Sequence, residues 1–172
     1  YGYSNVGRVV AGPDALRDRL VFALFPHQTR FVVPATAVHV VPDGVPVARA
    51  VLAANMETAL NGVWDAGIAP GDRVTVVGAG AVGCLVAWLA ARMPGCDVQL
   101  VDVAEARRAT AEALGVSFSP LDGAARDRDV VVHASGSPAG LSRALAIAAF
   151  EAVIVEMSWY GCQPVALPLG EA

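Results

Sequence analysis

The run Arg73-Val74-Thr75-Val76-Val77-Gly78-Ala79-Gly80-Ala81-Val82-Gly83 decides the fold. Four consecutive β-branched residues, Val74 to Val77, read as a strand buried on both faces, and beyond Gly83 the chain turns alanine- and leucine-rich at helical spacing. Between them the glycines stand in the pattern G-x-G-x-x-G. The pattern alone is weak in an alanine-rich chain, but a strand before it and a helix after it are the context that gives it meaning. The first glycine permits a tight turn, the second lets backbone approach a pyrophosphate, and the third lets helix and strand pack closely. A phosphate would then lie against the unpaired N–H groups and positive end of the helix. Gly78, Gly80, Ala81, Val82 and Gly83 are accordingly candidate cofactor-binding residues.

The second half of this dinucleotide signature is Asp102. It ends the next strand, 19 residues after Gly83, where a carboxylate accepts both ribose hydroxyls of an adenosine and repels a 2′-phosphate. NAD is therefore favoured over NADP, with Val103 and Arg107 beside the acid as further contacts. Arg107 and Arg108 pull the other way, since arginines near this position hold a 2′-phosphate. Alternatively, Asp102 caps the following helix and the arginines are a solvated face.

Downstream, strand and helix alternate. Arg73 to Val77 and Val98 to Asp102 read as strands, Ala81 to Met93 and Glu105 to Leu114 as helices. A weak strand at Val116 to Phe118 and a polar loop precede a strong strand at Asp129 to Ala134. A helix from Ala139 to Phe150 and a strand from Val153 to Met157 follow. This rhythm predicts an α/β doubly wound parallel sheet with helices on both faces. Upstream, Ala48 to Ala66 reads as one helix. Before Pro46 the chain has a different character, with short strands at Val6 to Val10, Leu20 to Leu24, Phe31 to Val33 and Val38 to Val41 punctuated by Pro-Asp-Gly-type turns. The expected division is thus a β-rich piece over 1–46 and an α/β domain over 47–172.

The 172 residues are 55% hydrophobic and carry a net charge of −4 with no basic block, which supplies a core and argues against a nucleic-acid partner. Cys84, Cys96 and Cys162 show no paired ligand spacing and fit buried thiols in a reducing cytoplasm better than a disulfide framework. Val74 to Ala91 is a stretch of 18 residues without a charge, nominally a membrane span. Its three glycines and its change from strand to helix period read instead as strand, turn and helix. Beginning at Tyr1, the chain is expected to be part of something longer.

Taken together these pieces resemble the medium-chain dehydrogenase/reductase superfamily, which contains the zinc-type alcohol dehydrogenases. Val38-His39-Val40-Val41-Pro42-Asp43-Gly44 resembles the family's passage out of its GroES-like domain. Ala69-Pro70-Gly71-Asp72-Arg73-Val74 resembles its lead into the glycine fingerprint, and Val130-Val131-Val132-His133-Ala134-Ser135-Gly136 its strand and Ser-Gly turn beneath the nicotinamide. The resemblance implies a Rossmann domain preceded by part of a GroES-like catalytic domain. It also implies hydride transfer between a nicotinamide and an alcohol, aldehyde or ketone, a small-molecule substrate, and a homodimer formed through the sheet edge. Ala134, Ser135, Gly136 and Met157 become nicotinamide-side candidates. Gly2-Tyr3-Ser4-Asn5-Val6-Gly7 also resembles a short stretch of the bacteriochlorophyllide dehydrogenase branch.

The departures bear on the metal. Tyr3 stands where zinc-dependent members carry a histidine, and Ala53 and Ala54 stand where the third ligand is expected. A catalytic zinc needs about three protein ligands, so the expectation is a member without catalytic zinc, the alternative being ligands in a segment outside this chain. Without zinc, another group must move the proton. Glu57 and Thr58, on the helix before the fingerprint, and His27, in the Phe25-Pro26-His27-Gln28 loop, are the catalytic candidates. The competing readings are an i, i+4 bond from Glu57 to Asn61 and a solvated loop histidine. His39 and His133 are expected to be structural, His133 as a satisfied core histidine. A non-catalytic NADH-sensing module and an S-adenosylmethionine-binding domain remain as functions of other classes.

Overall fold

Five parallel strands in the order β6-β5-β4-β7-β8 form the sheet that positions everything else. In this computed structural model, which describes residues 1–162, 164–167, 169 and 170, they are β4 (Arg73–Val77), β5 (Asp97–Asp102), β6 (Ser117–Pro120), β7 (Arg128–His133) and β8 (Ala148–Glu156). Chain order runs outward from β4 through β5 to β6, then returns across β4 to β7 and β8. The sheet therefore reverses its winding between β4 and β7, the place where open α/β sheets bind ligands outside their carboxyl ends. Helices α3 (Ala81–Ala90), α4 (Arg108–Leu114) and α5 (Pro138–Ile147) connect the strands, and α2 (Ala53–Ala66) precedes them.

The strand prediction from unbroken β-branched runs holds because both faces are covered. Val74, Val76, Leu100 and Val132 fill one core with α2 and α3, while Val77, Val101, Val131 and Ile147 fill a second. The charge-free stretch 74–91 is β4, the glycine turn and α3, and among the described residues no helix is long and apolar enough to cross a membrane.

The preceding β-rich stretch forms a separate three-stranded antiparallel sheet of β1 (Asn5–Arg8), β2 (Leu20–Ala23) and β3 (Val38–Val40). The chain divides into two units, Tyr1–Met56 and Glu57–Ala172. That division lies inside α2, later than the change of period at Pro46.

Three expectations need correction. Phe31 to Val33 is not a strand: Phe31 stacks on Phe25 with ring centroids 4.5 Å apart, and Pro34 withholds a ladder donor just beyond it. The single helix over 48–66 is two, α1 (Val47–Ala50) and α2, separated at Val51 and Leu52, where Leu52 N–H donates to Arg49 O in a tightened turn beside poor helix formers Val47 and Val51. The last helix ends at Ile147, and Ala148 to Phe150 open β8 instead. There the ladder jumps from Arg128↔Ala148 to Val130↔Val153, and the extra residues form a bulge around Glu151, whose φ is 60°. An alanine-rich run hides such a bulge, because its composition reads as helix.

Candidate functional site

The loop after β4 is built by close approach. Gly78 has φ 112°, and a side chain there would come within 2.8 Å of the Ala134 and Ser135 backbone. A Cβ on Gly83 would lie 1.8 Å from Gly78 O, whereas Gly80 faces open space. The three glycines thus separate into a turn former, an open approach and a packing contact. Ala81, Val82 and Gly83 form the first turn of α3, with Gly80 at its N-cap and no side-chain cap, so early N–H groups stay available to an anion.

Asp102 closes the loop from the neighbouring strand. Its Oδ2 accepts the Ala79 N–H at 2.7 Å and its Oδ1 accepts the Ala104 N–H at 2.8 Å. A carboxylate offers about four acceptor positions, so two remain for a diol. Asp102 does not cap the following helix, whose N-terminal turn has Ala104 at its N-cap and no side-chain cap bond; its bonds are to the glycine loop and to a local turn, on the wall of the cleft.

That cleft, about 320 Å³, is lined by Gly78, Gly80, Asp102, Val103, Ala104, Arg107, Ala134 and Ser135, together with Val77, Val101, Leu121, Ser137 and Gly140. It lies wholly within the second unit. Its volume is at the lower end of the small-molecule range. Gly136 sits in the turn behind Ser135, its N–H donating to Ser158 Oγ at 3.0 Å. Met157 bonds through its N–H to His133 O at 2.9 Å, and its side chain covers Gly62.

Glu57, Thr58 and His27 are not among the residues that line this cleft. Glu57 is exposed on α2 and accepts a hydrogen bond from Asn61 Nδ2, the i, i+4 contact weighed above. Thr58 is half-buried on the same helix. His27 is an exposed loop residue of the first unit, its ring over Gly2 and its N–H donating to Tyr1 O. Tyr3 is 58% exposed, and among the described residues no cluster of three or more His, Cys, Asp or Glu side chains offers a metal site.

Sequence reasoning missed a polar chain at the ends of β7 and β8. His133 is fully buried. Its Nε2 is 2.6 Å from Ser135 Oγ and its Nδ1 is 2.8 Å from Glu156 Oε2. An ionised Glu156 only accepts, which assigns Nδ1–H to the carboxylate; in the neutral ring Nε2 then accepts the Ser135 hydroxyl proton, while Ser137 N–H donates to the same Oγ. Glu156 also accepts from Ser158 N–H at 2.6 Å and Tyr160 OH at 3.0 Å. Burial pushes this carboxyl upward, but hydrogen bonds from Ser158 and His133 outweigh it and hold it below the usual glutamate range. Burial, then Glu156, raises the Tyr160 phenol. The available signal was register: in adjacent parallel strands His133 pairs with Glu156, two polar residues ending otherwise apolar runs.

Comparison with known proteins fits this geometry. A zinc-type alcohol dehydrogenase-like protein of Haemophilus influenzae, itself uncharacterized, is 30% identical over 138 residues, 73% of this chain. By sequence the chain is similar to this zinc-type alcohol dehydrogenase-like relative. It spans 40% of the length of that relative. No family model matches the chain. Among solved structures, an Escherichia coli CFT073 alcohol dehydrogenase complexed with NADH superposes with a TM-score of 0.76 at 18% identity, covering 95% of this chain and 62% of its own. A zinc-binding dehydrogenase of Sinorhizobium meliloti 1021 bound to NADP gives 0.72 at 19% identity, covering 81% and 45%. These two establish the fold, a Rossmann-type parallel sheet preceded by an antiparallel one.

Proposed function

We propose that this chain is the cofactor-binding part of an oxidoreductase that transfers a hydride between NAD(H) and an alcohol, aldehyde or ketone. In this reading residues 1–46 are part of a GroES-like catalytic domain and 47–172 the NAD-binding Rossmann domain. The observation that carries it is the cleft where a glycine loop opened by close backbone approach meets an acid with two acceptor positions to spare.

The residues divide the cofactor between them. Asp102 takes the adenosine ribose hydroxyls, and the exposed Val103 offers an apolar surface to the adenine. Gly80, Ala81 and Val82 present backbone to the pyrophosphate, Gly83 keeps α3 close enough to do so, and Gly78 sets the turn. Ala134, Ser135, Gly136 and Met157, at the ends of β7 and β8, lie on the nicotinamide side. The bound nicotinamide supplies the hydride chemistry. Arg107 lines the same cleft and is the residue through which NADP would be accommodated, but the Asp102 charge opposes a 2′-phosphate.

Glu57, Thr58 and His27 stay catalytic candidates in this reading, with acid–base work on the substrate as their role. The free thiols Cys84, Cys96 and Cys162 suit a reducing cytoplasm, and pairing through the β8 edge would make a homodimer. The test is calorimetric titration of the intact protein with NADH and NADPH. Binding of NADH at least about tenfold tighter than NADPH supports the reading. Preference for NADPH reverses the cofactor assignment, and binding of S-adenosylmethionine in place of either removes the dehydrogenase reading.

A further inference from the structure

The chain Ser135–His133–Glu156 stands where apolar packing would serve the fold as well. β7 is otherwise Val130, Val131 and Val132 at this depth, and a buried ionisable pair is often no better than apolar residues of similar volume. Its layout is directional. Ser135 is exposed on the cleft wall, His133 is sealed behind it, and Glu156, with its side chain 33% exposed, forms the solvent end. Space for the Ser135–His133 contact is kept by Gly140, where a side chain would lie 2.4 Å from Ser135 Oγ and 2.7 Å from His133 Nε2.

We propose that Ser135, His133 and Glu156 form a proton-accepting relay whose hydroxyl end opens on the nicotinamide side of the cleft and takes the proton of a substrate alcohol. The proposal rests on the cofactor reading above. Asp102 fixes the adenosine side at β5 and the start of α3 the phosphates. The second nucleoside then falls beyond the winding reversal, at the end of β7. When NAD+ oxidises an alcohol there, the carbon-bound hydride reduces the nicotinamide ring. The hydroxyl proton passes to Ser135 Oγ as the serine's own proton moves to His133 Nε2. The product is a carbonyl, serine is unchanged, and the new imidazolium faces the Glu156 carboxylate; reduction runs the same path backwards.

Among the described residues, the groups facing His133 are few. Glu156 comes from β8, Ser158 and Tyr160 from the segment after it, and Ser135 from the turn. α5 presents Gly140 and the β4 register partner is Val77. Glu156 is the charged member of that set, so a change of charge at the cleft end acts on the imidazole directly. NAD+ carries a positive nicotinamide ring and NADH does not. Where the imidazole is protonated in the free protein, at the acid end of the imidazole range, binding of NAD+ should therefore expel that proton and leave the neutral, proton-accepting form.

The test is calorimetric titration of the intact protein with NAD+ and with NADH in phosphate and in Tris, between about pH 5 and 8, where imidazole titrates. The difference between buffers counts protons released. The relay predicts a substantial fraction of one proton released with NAD+, much less with NADH, and none in His133→Asn. Gly140→Ala, which removes no titratable group but drives Ser135 and His133 apart, should also diminish it. NAD+ binding without proton release, or release unchanged in His133→Asn, overturns the relay and leaves the cofactor reading standing. Failure of both NAD+ and NADH to bind overturns the cofactor reading, and the relay with it.

Discussion

Gly83 and Asp102 carry the residue-scale account, because each does something no substitute can. A methyl on Gly83 would overlap Gly78 O at 1.8 Å, so Gly83→Ala must push α3 away from the loop. An overpacked core of this kind costs about 1–3 kcal/mol, and NADH affinity should fall by about tenfold or more in a binding titration; unchanged affinity would mean the loop does not hold the cofactor. Asp102→Asn keeps the shape but removes the charge that strengthens two hydrogen bonds, each worth about 1.5–3 kcal/mol. It should weaken NADH by about tenfold or more and narrow its advantage over NADPH. The loop geometry around them was legible because a strand-turn-helix with close backbone approach needs glycines at a fixed spacing along the chain. His133, Glu156 and Tyr160 were not, since their partnership depends on β7–β8 register and spans 23 residues between histidine and glutamate. His133 in isolation reads as a core histidine, and the structure does show it buried and fully partnered.

At the scale of elements, the parallel strands were readable from continuous β-branched runs, while the helix boundaries failed where alanine-rich composition masked a bulge. Glu151 pays for that bulge with φ 60°, a conformation costing an ordinary residue about 1–2 kcal/mol. Glu151→Gly should therefore stabilise the fold by about 0.5–1 kcal/mol in urea unfolding, after the extra chain entropy of glycine; a loss of stability would mean the side chain has an unrecognised role.

The sheet is also tied at its amino end by Arg128, only 4% exposed, which donates to Asp97 Oδ2 at 2.7 Å and to Val74 O at 2.9 Å. Asp97→Ala strips this buried guanidinium of a charged partner and should cost about 1–3 kcal/mol. The carboxyl end has a pH signature. Glu156 is held below its ordinary value in the folded chain, so its stabilising contribution is fully present above the usual glutamate range. That contribution is lost as pH falls through the lowered folded value. Urea melts of the wild type and Glu156→Gln should converge as the solution is acidified; curves that diverge would contradict the assignment.

On the scale of the whole molecule, the α/β alternation predicts a parallel sheet with helices on both faces, and it is the structure that sets the glycine loop where that sheet reverses its winding. The change in period at Pro46 separates a β-rich stretch from the α/β alternation in the sequence, while the two compact units part inside α2, where a helix runs through the boundary and leaves no compositional mark. What acts on the substrate was far less legible, for a physical reason. The proposed cofactor site is a contiguous loop and one acid, whereas the catalytic candidates Glu57 and Thr58 lie on α2 and His27 in a loop of the first unit.

The central claim is that the second unit holds a dinucleotide across the ends of β5, β4 and β7. A crystal structure of the intact protein with NADH tests it most directly. The account predicts the adenosine ribose hydroxyls on the Asp102 carboxylate, the pyrophosphate on the backbone of Gly80 to Val82, and the nicotinamide riboside beside Ser135. A dinucleotide bound elsewhere, or lying in this cleft with its adenosine away from Asp102, would contradict it.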